Sequence, residues 1–172
     1  RPLAATPDAI AAMTEGQTPK RGGVLTYGQT YPNWALGQSN RGQHPYYWLD
    51  LLTRSVWNGL VWVDENMEPQ LELASSATPS DDLKVWDFEL REGVLFHDGT
   101  EMTATDVVAS MAFHKLGGVG LISGQVDRVE ALGPRAVRFH LNAPNAEFLH
   151  SVAEYRAMVF KAAEPEAIGF DG

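Results

Sequence analysis

His97 and Asp98 form the one adjacent histidine–carboxylate pair in this sequence. An imidazole beside a carboxylate is the raw material of a general base, and a hydrolase would draw on it. Neighbours in sequence seldom converge on one reacting atom, however, and Asp98-Gly99 is a turn dipeptide. The pair therefore reads first as architecture, with a hydrolase using His97 and Asp98 as the weaker alternative. The five histidines, His44, His97, His114, His140 and His150, show no metal-ligand spacing. His114 falls beside Val107 and Met111 on one helical face, as a packed histidine would. There is no cysteine, which excludes disulfides, thiolate zinc sites and cysteine nucleophiles. No serine-hydrolase elbow, zinc-protease helix, phosphate-binding loop or dinucleotide fingerprint is present. Gly117-Gly118-Val119-Gly120 ends a predicted helix, whereas an anion site needs a helix start. Asp81-Asp82 lacks the alternating oxygen ligands of a calcium loop. No catalytic residue, metal or cofactor is expected.

The remaining chemistry is aromatic. Tyr27, Tyr31, Trp34, Tyr46, Tyr47 and Trp48 crowd together, interleaved with Asn33, Gln38, Ser39 and Asn40. Aromatic rings with amide neighbours in a loop can line a small-molecule site, and they can equally pack on an adjoining strand.

The elements that would position these residues follow from periodicity. Residues 1–22 read as a flexible tail, closed by the run Thr18-Pro19-Lys20-Arg21-Gly22-Gly23. Val24–Tyr27 is a predicted strand, and Gln29 to Pro45 a long aperiodic loop of the kind that carries function. A helix is expected over Tyr46–Trp57, then a strand over Leu60–Val63 and an extended Met67–Leu73. Val85–Arg91 alternates, with Trp86, Phe88 and Leu90 on one face. A helix is expected over Thr103–Leu116, its Thr103 hydroxyl accepting from the backbone N–H of Asp106, with Val108, Met111, Ala112 and Leu116 inward. Val126–Leu132 and Ala136–Leu141 predict an antiparallel hairpin, and Asn145 caps a short helix to Val152. The fold class is α+β: a mixed sheet with antiparallel hairpins and a few helices.

Composition sets the outer bounds. A chain of 172 residues, 44% hydrophobic and 20% charged, suits one soluble domain or part of one. No apolar run approaches the ~20 residues of a membrane-spanning helix. The net charge is −9, and the stretch from Asp64 to Asp106 holds twelve acids against Lys84 and Arg91. Such a surface repels phosphate, so no nucleic-acid partner is expected. The plain reading of the acidic stretch is a solvated face. A free-standing interaction module that meets a basic partner through it is the other.

Two runs are recognisable. Trp57-Asn58-Gly59-Leu60-Val61-Trp62-Val63-Asp64 and the nearly continuous segment from Val85 to Val108, containing Phe88-Glu89-Leu90-Arg91-Glu92-Gly93-Val94-Leu95-Phe96-His97-Asp98-Gly99-Thr100, resemble the extracytoplasmic solute-binding proteins of dipeptide and oligopeptide ABC transporters (family 5). Gly22-Gly23-Val24-Leu25 and Leu73-Ala74-Ser75-Ser76 extend the resemblance to about residues 22–161. It implies part of a two-lobed periplasmic-binding-protein-like fold, with residues 23–172 an incomplete N-terminal lobe. It further implies binding of a peptide or similar small solute by lobe closure, a membrane permease as partner, a monomer, and a periplasmic or extracytoplasmic location. By the same resemblance Gln29, Thr30, Tyr31, Asn33 and Trp34 contact the solute. His97, Asp98, Gly99, Thr103 and Asp106 would then be a structural motif. Two departures stand out: Tyr31-Pro32-Asn33-Trp34-Ala35-Leu36-Gly37 replaces the family's Leu-Asp-Pro loop, and Ala77 stands where an aromatic residue is usual.

Overall fold

The computed structural model describes residues 56–116, 124–154 and 157–162. All of them belong to one compact unit, Pro32–Gly172. The expected tail, the strand Val24–Tyr27, the loop Gln29–Pro45 and most of the helix Tyr46–Trp57 lie outside the described residues, as does the division proposed at residue 22. Val56 and Trp57, the end of that expected helix, are not helical.

Among the described residues eight elements follow in order: β1 (Val61–Val63), β2 (Pro69–Leu71), β3 (Ala74–Pro79), β4 (Val85–Leu90), α1 (Ala104–Leu116), β5 (Val126–Ala131), β6 (Ala136–Leu141) and α2 (Phe148–Val152). Strands β1 and β2 make a two-stranded antiparallel sheet. The other four form an antiparallel sheet in the order β3-β4-β6-β5. The α+β expectation holds, with every described pairing antiparallel.

The alternating strands behave as their patterns require. On β4, Trp86, Phe88 and Leu90 are buried; on β6, Val137, Phe139 and Leu141 are. Trp86 pairs with Phe139 and Phe88 with Val137, so the two apolar rows share one face. Phe148 from α2 closes over them, its ring centroid 5.5 Å from that of Phe139 and 6.5 Å from that of Phe88. Phe88 and Phe139 meet edge-on at 5.2 Å, an arrangement the ring quadrupoles favour. The opposite face is polar: Asp87 lies across from Arg138 and accepts two 2.7 Å hydrogen bonds from its guanidinium.

Three expectations need correction. Strand β3 was not anticipated, because Ala-Ser-Ser-Ala-Thr-Pro lacks branched and aromatic residues and alternation. Pairing with β4 makes it a strand all the same, with a register irregularity between Ala74 and Ser76. The stretch Met67–Leu73 is extended only over β2 and turns back on β1; Asp64 holds that turn by accepting from the N–H groups of Asn66 (2.8 Å) and Glu68 (3.0 Å). On α1, Met111 is buried as expected, but Ala112 is exposed and Val108 only partly covered. The buried set is Ala104, Val107 and Met111 together with three polar residues, Asp106, Ser110 and His114. Helix α1 packs on two sides, and one of them is polar.

Core and surface should separate cleanly in stability. Phe88→Ala is expected to cost about 3–5 kcal/mol in urea unfolding, since its ring is wholly enclosed. Asp87→Asn, which weakens a half-exposed ion pair, is expected to cost about 1 kcal/mol or less. Equal costs would place the core elsewhere than over β4 and β6.

Candidate functional site

The turn at His97 is built from backbone outward. Phe96 N–H donates to Thr100 O (2.8 Å) and Gly99 N–H to Phe96 O (2.9 Å). Gly99 sits at φ +84°, a left-handed conformation that side chains disfavour. Asp98 Oδ1 accepts from the Thr100 N–H (3.0 Å) and hydroxyl (2.7 Å), and its second oxygen pairs with Lys161. These donors, Lys161 first, hold the Asp98 carboxyl well below the usual carboxylate range. His97 turns elsewhere: its Nε2 lies 3.0 Å from the Val56 carbonyl. The two side chains share neither a hydrogen bond nor a common target, so the geometry offers no dyad to a hydrolase.

A few residues on, the entry to α1 runs opposite to the expected cap. The Thr103 hydroxyl does not accept from the Asp106 N–H. It donates to Asp106 Oδ2 (2.8 Å), as does the Thr103 backbone N–H (2.8 Å). The carboxylate reaches back to cap the helix start, where its charge also meets the positive end of the helix dipole. Its other oxygen, Oδ1, accepts from the N–H of Ala162 at 2.9 Å.

That last contact begins a row. Asp106, Ser110 and His114 are spaced by four and lie one turn apart on α1. Each reaches the backbone of the segment 158–162. Ser110 Oγ accepts from Phe160 N–H (2.8 Å) and lies 3.2 Å from Phe160 O and 2.7 Å from Asp106 O. His114 Nε2 lies 2.7 Å from Met158 O. A carbonyl only accepts, so this nitrogen carries the proton. His114 Nδ1 is buried without a partner. Enclosure against Phe113 and Phe160 pulls the imidazole down to about 4, the Met158 carbonyl opposing. His114 is packed, as its apolar neighbours Val107 and Met111 predict, and it also belongs to a polar row. The i, i+4, i+8 polar spacing from Asp106 was the available signal.

Between these features lies a cavity of ≈ 140 Å³, lined among others by Val56, Trp57, Leu73, His97, Met102 and Phe160. Solute pockets usually occupy about 300–1,000 Å³, so this one is too small to be such a site. In the acidic stretch Glu65, Glu68, Asp81, Asp82, Glu89, Glu92, Asp98 and Glu101 are exposed and Asp106 is buried. Several carboxylates also hold local structure: Asp64 and Asp82 in turns, Asp87 on Arg138, Glu92 on Arg135, Asp98 on Lys161 and Asp106 on α1. The residues expected to contact solute, Gln29, Thr30, Tyr31, Asn33 and Trp34, lie outside the described residues.

Comparison with known proteins supplies the context for this frame. Among solved structures, the PBP AgaA from A. tumefaciens R10, determined with agropinic acid, superposes with a TM-score of 0.63 at 26% identity, over 72% of this chain and 26% of its own. NikZ from Campylobacter jejuni, determined with Ni(L-His), superposes with a TM-score of 0.56 at 34% identity, over 63% of this chain and 22% of its own. The fold is thus part of the two-lobed periplasmic binding-protein architecture. The family model for bacterial extracellular solute-binding proteins, family 5, matches residues 68–171, and the chain belongs to that family. The glutathione-binding protein GsiB of Escherichia coli (strain K12) is 29% identical over 144 residues, 78% of this chain and 28% of that protein. The chain spans about a quarter of the length of these relatives.

The row on α1 predicts acid sensitivity. The folded-state value of His114 lies below its unfolded value, so the unfolded chain gains protons first as pH falls. The contribution is intact above pH 6.5 and lost progressively down to about pH 4, a loss of roughly 3 kcal/mol. Urea unfolding across that range should show the decline, and His114→Gln should flatten it. A wild-type stability that stays level across the window would contradict the assignment.

Proposed function

We propose that this chain forms part of one lobe of an extracytoplasmic solute-binding protein that serves an ABC transporter, binding a peptide or similar small solute and performing no chemistry on it. The observation that carries this reading is the family match over residues 68–171, which includes the whole segment Val85–Val108. In the proposed mechanism the solute bridges two lobes. It binds the closed arrangement better than the open one, and the closed form is what the membrane permease accepts. An extended peptide gains much of its affinity by pairing with a strand edge, so main-chain groups supply strength and side chains supply choice. Gln29, Thr30, Tyr31, Asn33 and Trp34 are assigned to the solute-facing wall, with rings for contact area and amides for orientation. In this proposal the protein works as a periplasmic or extracytoplasmic monomer, without nucleic acid.

The relatives bind different solutes, and the test follows from that. Glutathione, agropinic acid and Ni(L-His), the solutes named for those relatives, are titrated calorimetrically into this chain and into the longer protein that contains it. The longer protein is expected to bind one of them. The 172-residue chain is expected to bind the same solute at least about a hundredfold more weakly, a loss of about 3 kcal/mol, because one wall is missing. Tyr31→Ala and Trp34→Ala in the longer protein are expected to weaken binding about tenfold or more. Equal affinity of the short chain would overturn the two-lobe reading. Unchanged affinity in both variants would overturn the assignment of the wall.

A further inference from the structure

Asn58 and Gly59 make up the pair most prone to spontaneous rearrangement in a polypeptide, because glycine leaves the following nitrogen sterically open. Here the glycine is hard to replace. A Cβ on Gly59 would lie 3.2 Å from the Val61 carbonyl oxygen and 3.5 Å from that of Ala157. Gly59 is buried and bridges Met158 in antiparallel fashion. The chain therefore carries a chemically fragile dipeptide at a place where close backbone approach favours glycine.

The same place is guarded. Glu72 receives both members of the pair: Asn58 Nδ2 donates to Oε1 at 2.5 Å and the Gly59 N–H donates to Oε2 at 3.0 Å. The peptide group between Asn58 and Gly59 is held at its other end too, since the Asn58 carbonyl accepts from Val159 N–H at 2.9 Å. One turn of chemistry threatens it. The Gly59 nitrogen loses its proton and attacks Asn58 Cγ. A C–N bond forms, and the side-chain nitrogen leaves as ammonia. Water then opens the resulting imide at either carbonyl, giving aspartate or isoaspartate. Every step up to ring closure needs the Gly59 nitrogen to give up its proton and swing toward Cγ. A carboxylate in contact with that N–H disfavours a second negative charge beside it, and two hydrogen bonds on one peptide group resist the swing.

We propose that Asn58-Gly59 is a latent modification site, silent while Glu72 clamps it and converted to isoaspartate when the β1 entry separates from Glu72 and Val159. Conversion is self-sealing. The product carries a carboxylate where Glu72 had an amide donor, so two like charges meet across the former hydrogen bond, and the isoaspartyl form adds a methylene to the backbone next to Gly59. The lesion thus marks molecules that have opened at this point and prevents them from closing again.

The chain is incubated at mildly alkaline pH in native buffer and in strong urea. Conversion at residue 58 is followed by peptide mapping and by isoaspartyl methyltransferase labelling. Native wild type is expected to convert at least about tenfold more slowly than the urea-unfolded chain, because reaction requires local opening. E72A, checked for folding by circular dichroism, is expected to approach the unfolded rate. E72Q, which keeps the side chain's shape but removes the charge and one acceptor, is expected to fall between and stands in if E72A does not fold. Native wild type converting as fast as the unfolded chain would overturn the proposal. So would a folded Glu72 variant that converts no faster than wild type.

Discussion

Much of the described structure depends on one match of repeats. A helix brings every fourth residue back to the same side after about 6 Å, and an extended chain repeats every second residue over about 6.5 Å. Asp106, Ser110 and His114 use that near-equality to meet residues 162, 160 and 158 in turn. The helix thereby supplies backbone partners to a segment that no described sheet strand flanks continuously. Buried peptide groups left unpaired cost about 1–3 kcal/mol each, so the row substitutes for a missing strand. The Asp98–Lys161 pair fastens the same segment from outside, and the Gly59–Met158 bridge ties its start to the entry of β1.

The family's most recognisable motif belongs to this framework. The run from Phe88 through the His97 turn to Asp106 passes from the core strand β4, round a glycine-dependent reversal, to the capped start of α1. Asp98, Thr103 and Asp106 spend their polar atoms on one another, on Thr100 and on the returning chain. Side chains so occupied hold the strand, the reversal, the helix start and the returning chain to one another. Part of the acidic stretch follows suit: Asp64 and Asp82 accept from N–H groups at turns, and Asp87 and Glu92 meet guanidinium ions.

Legibility in the sequence tracked the range of the interaction. The strands β4 and β6 and the hairpin β5–β6 were readable because alternation of Trp86, Phe88 and Leu90, or of Val137, Phe139 and Leu141, is a local pattern imposed by one buried face. Helix α1 was readable from its turn signals, and its polar side was not. Ser110 looks like an ordinary surface position, Asp106 like a cap alone and His114 like a packed histidine among apolar neighbours, until residues some fifty places later are brought against them. Strand β3 was missed for the same reason, since its state is conferred by β4 and not by its own composition. The resemblance to solute-binding proteins rested on residues that keep their spacing through architecture, which is why it named the family without naming the solute.

The long reach of the α1 row bears on how the chain is made. Ser110 and Phe160 are 50 residues apart, and Asp106 and Ala162 are 56. At a synthesis rate of roughly 5–20 residues per second, the helix leaves the ribosome some 3–10 s before the segment it must grip. During that interval the groups that later meet residues 158–162 face water, and its apolar side lacks β5 and β6, the strands it packs against. Docking of residues 158–162 is thus the closing event of vectorial folding in this region, and nascent chains halted before it retain a hydrated, unlatched helix.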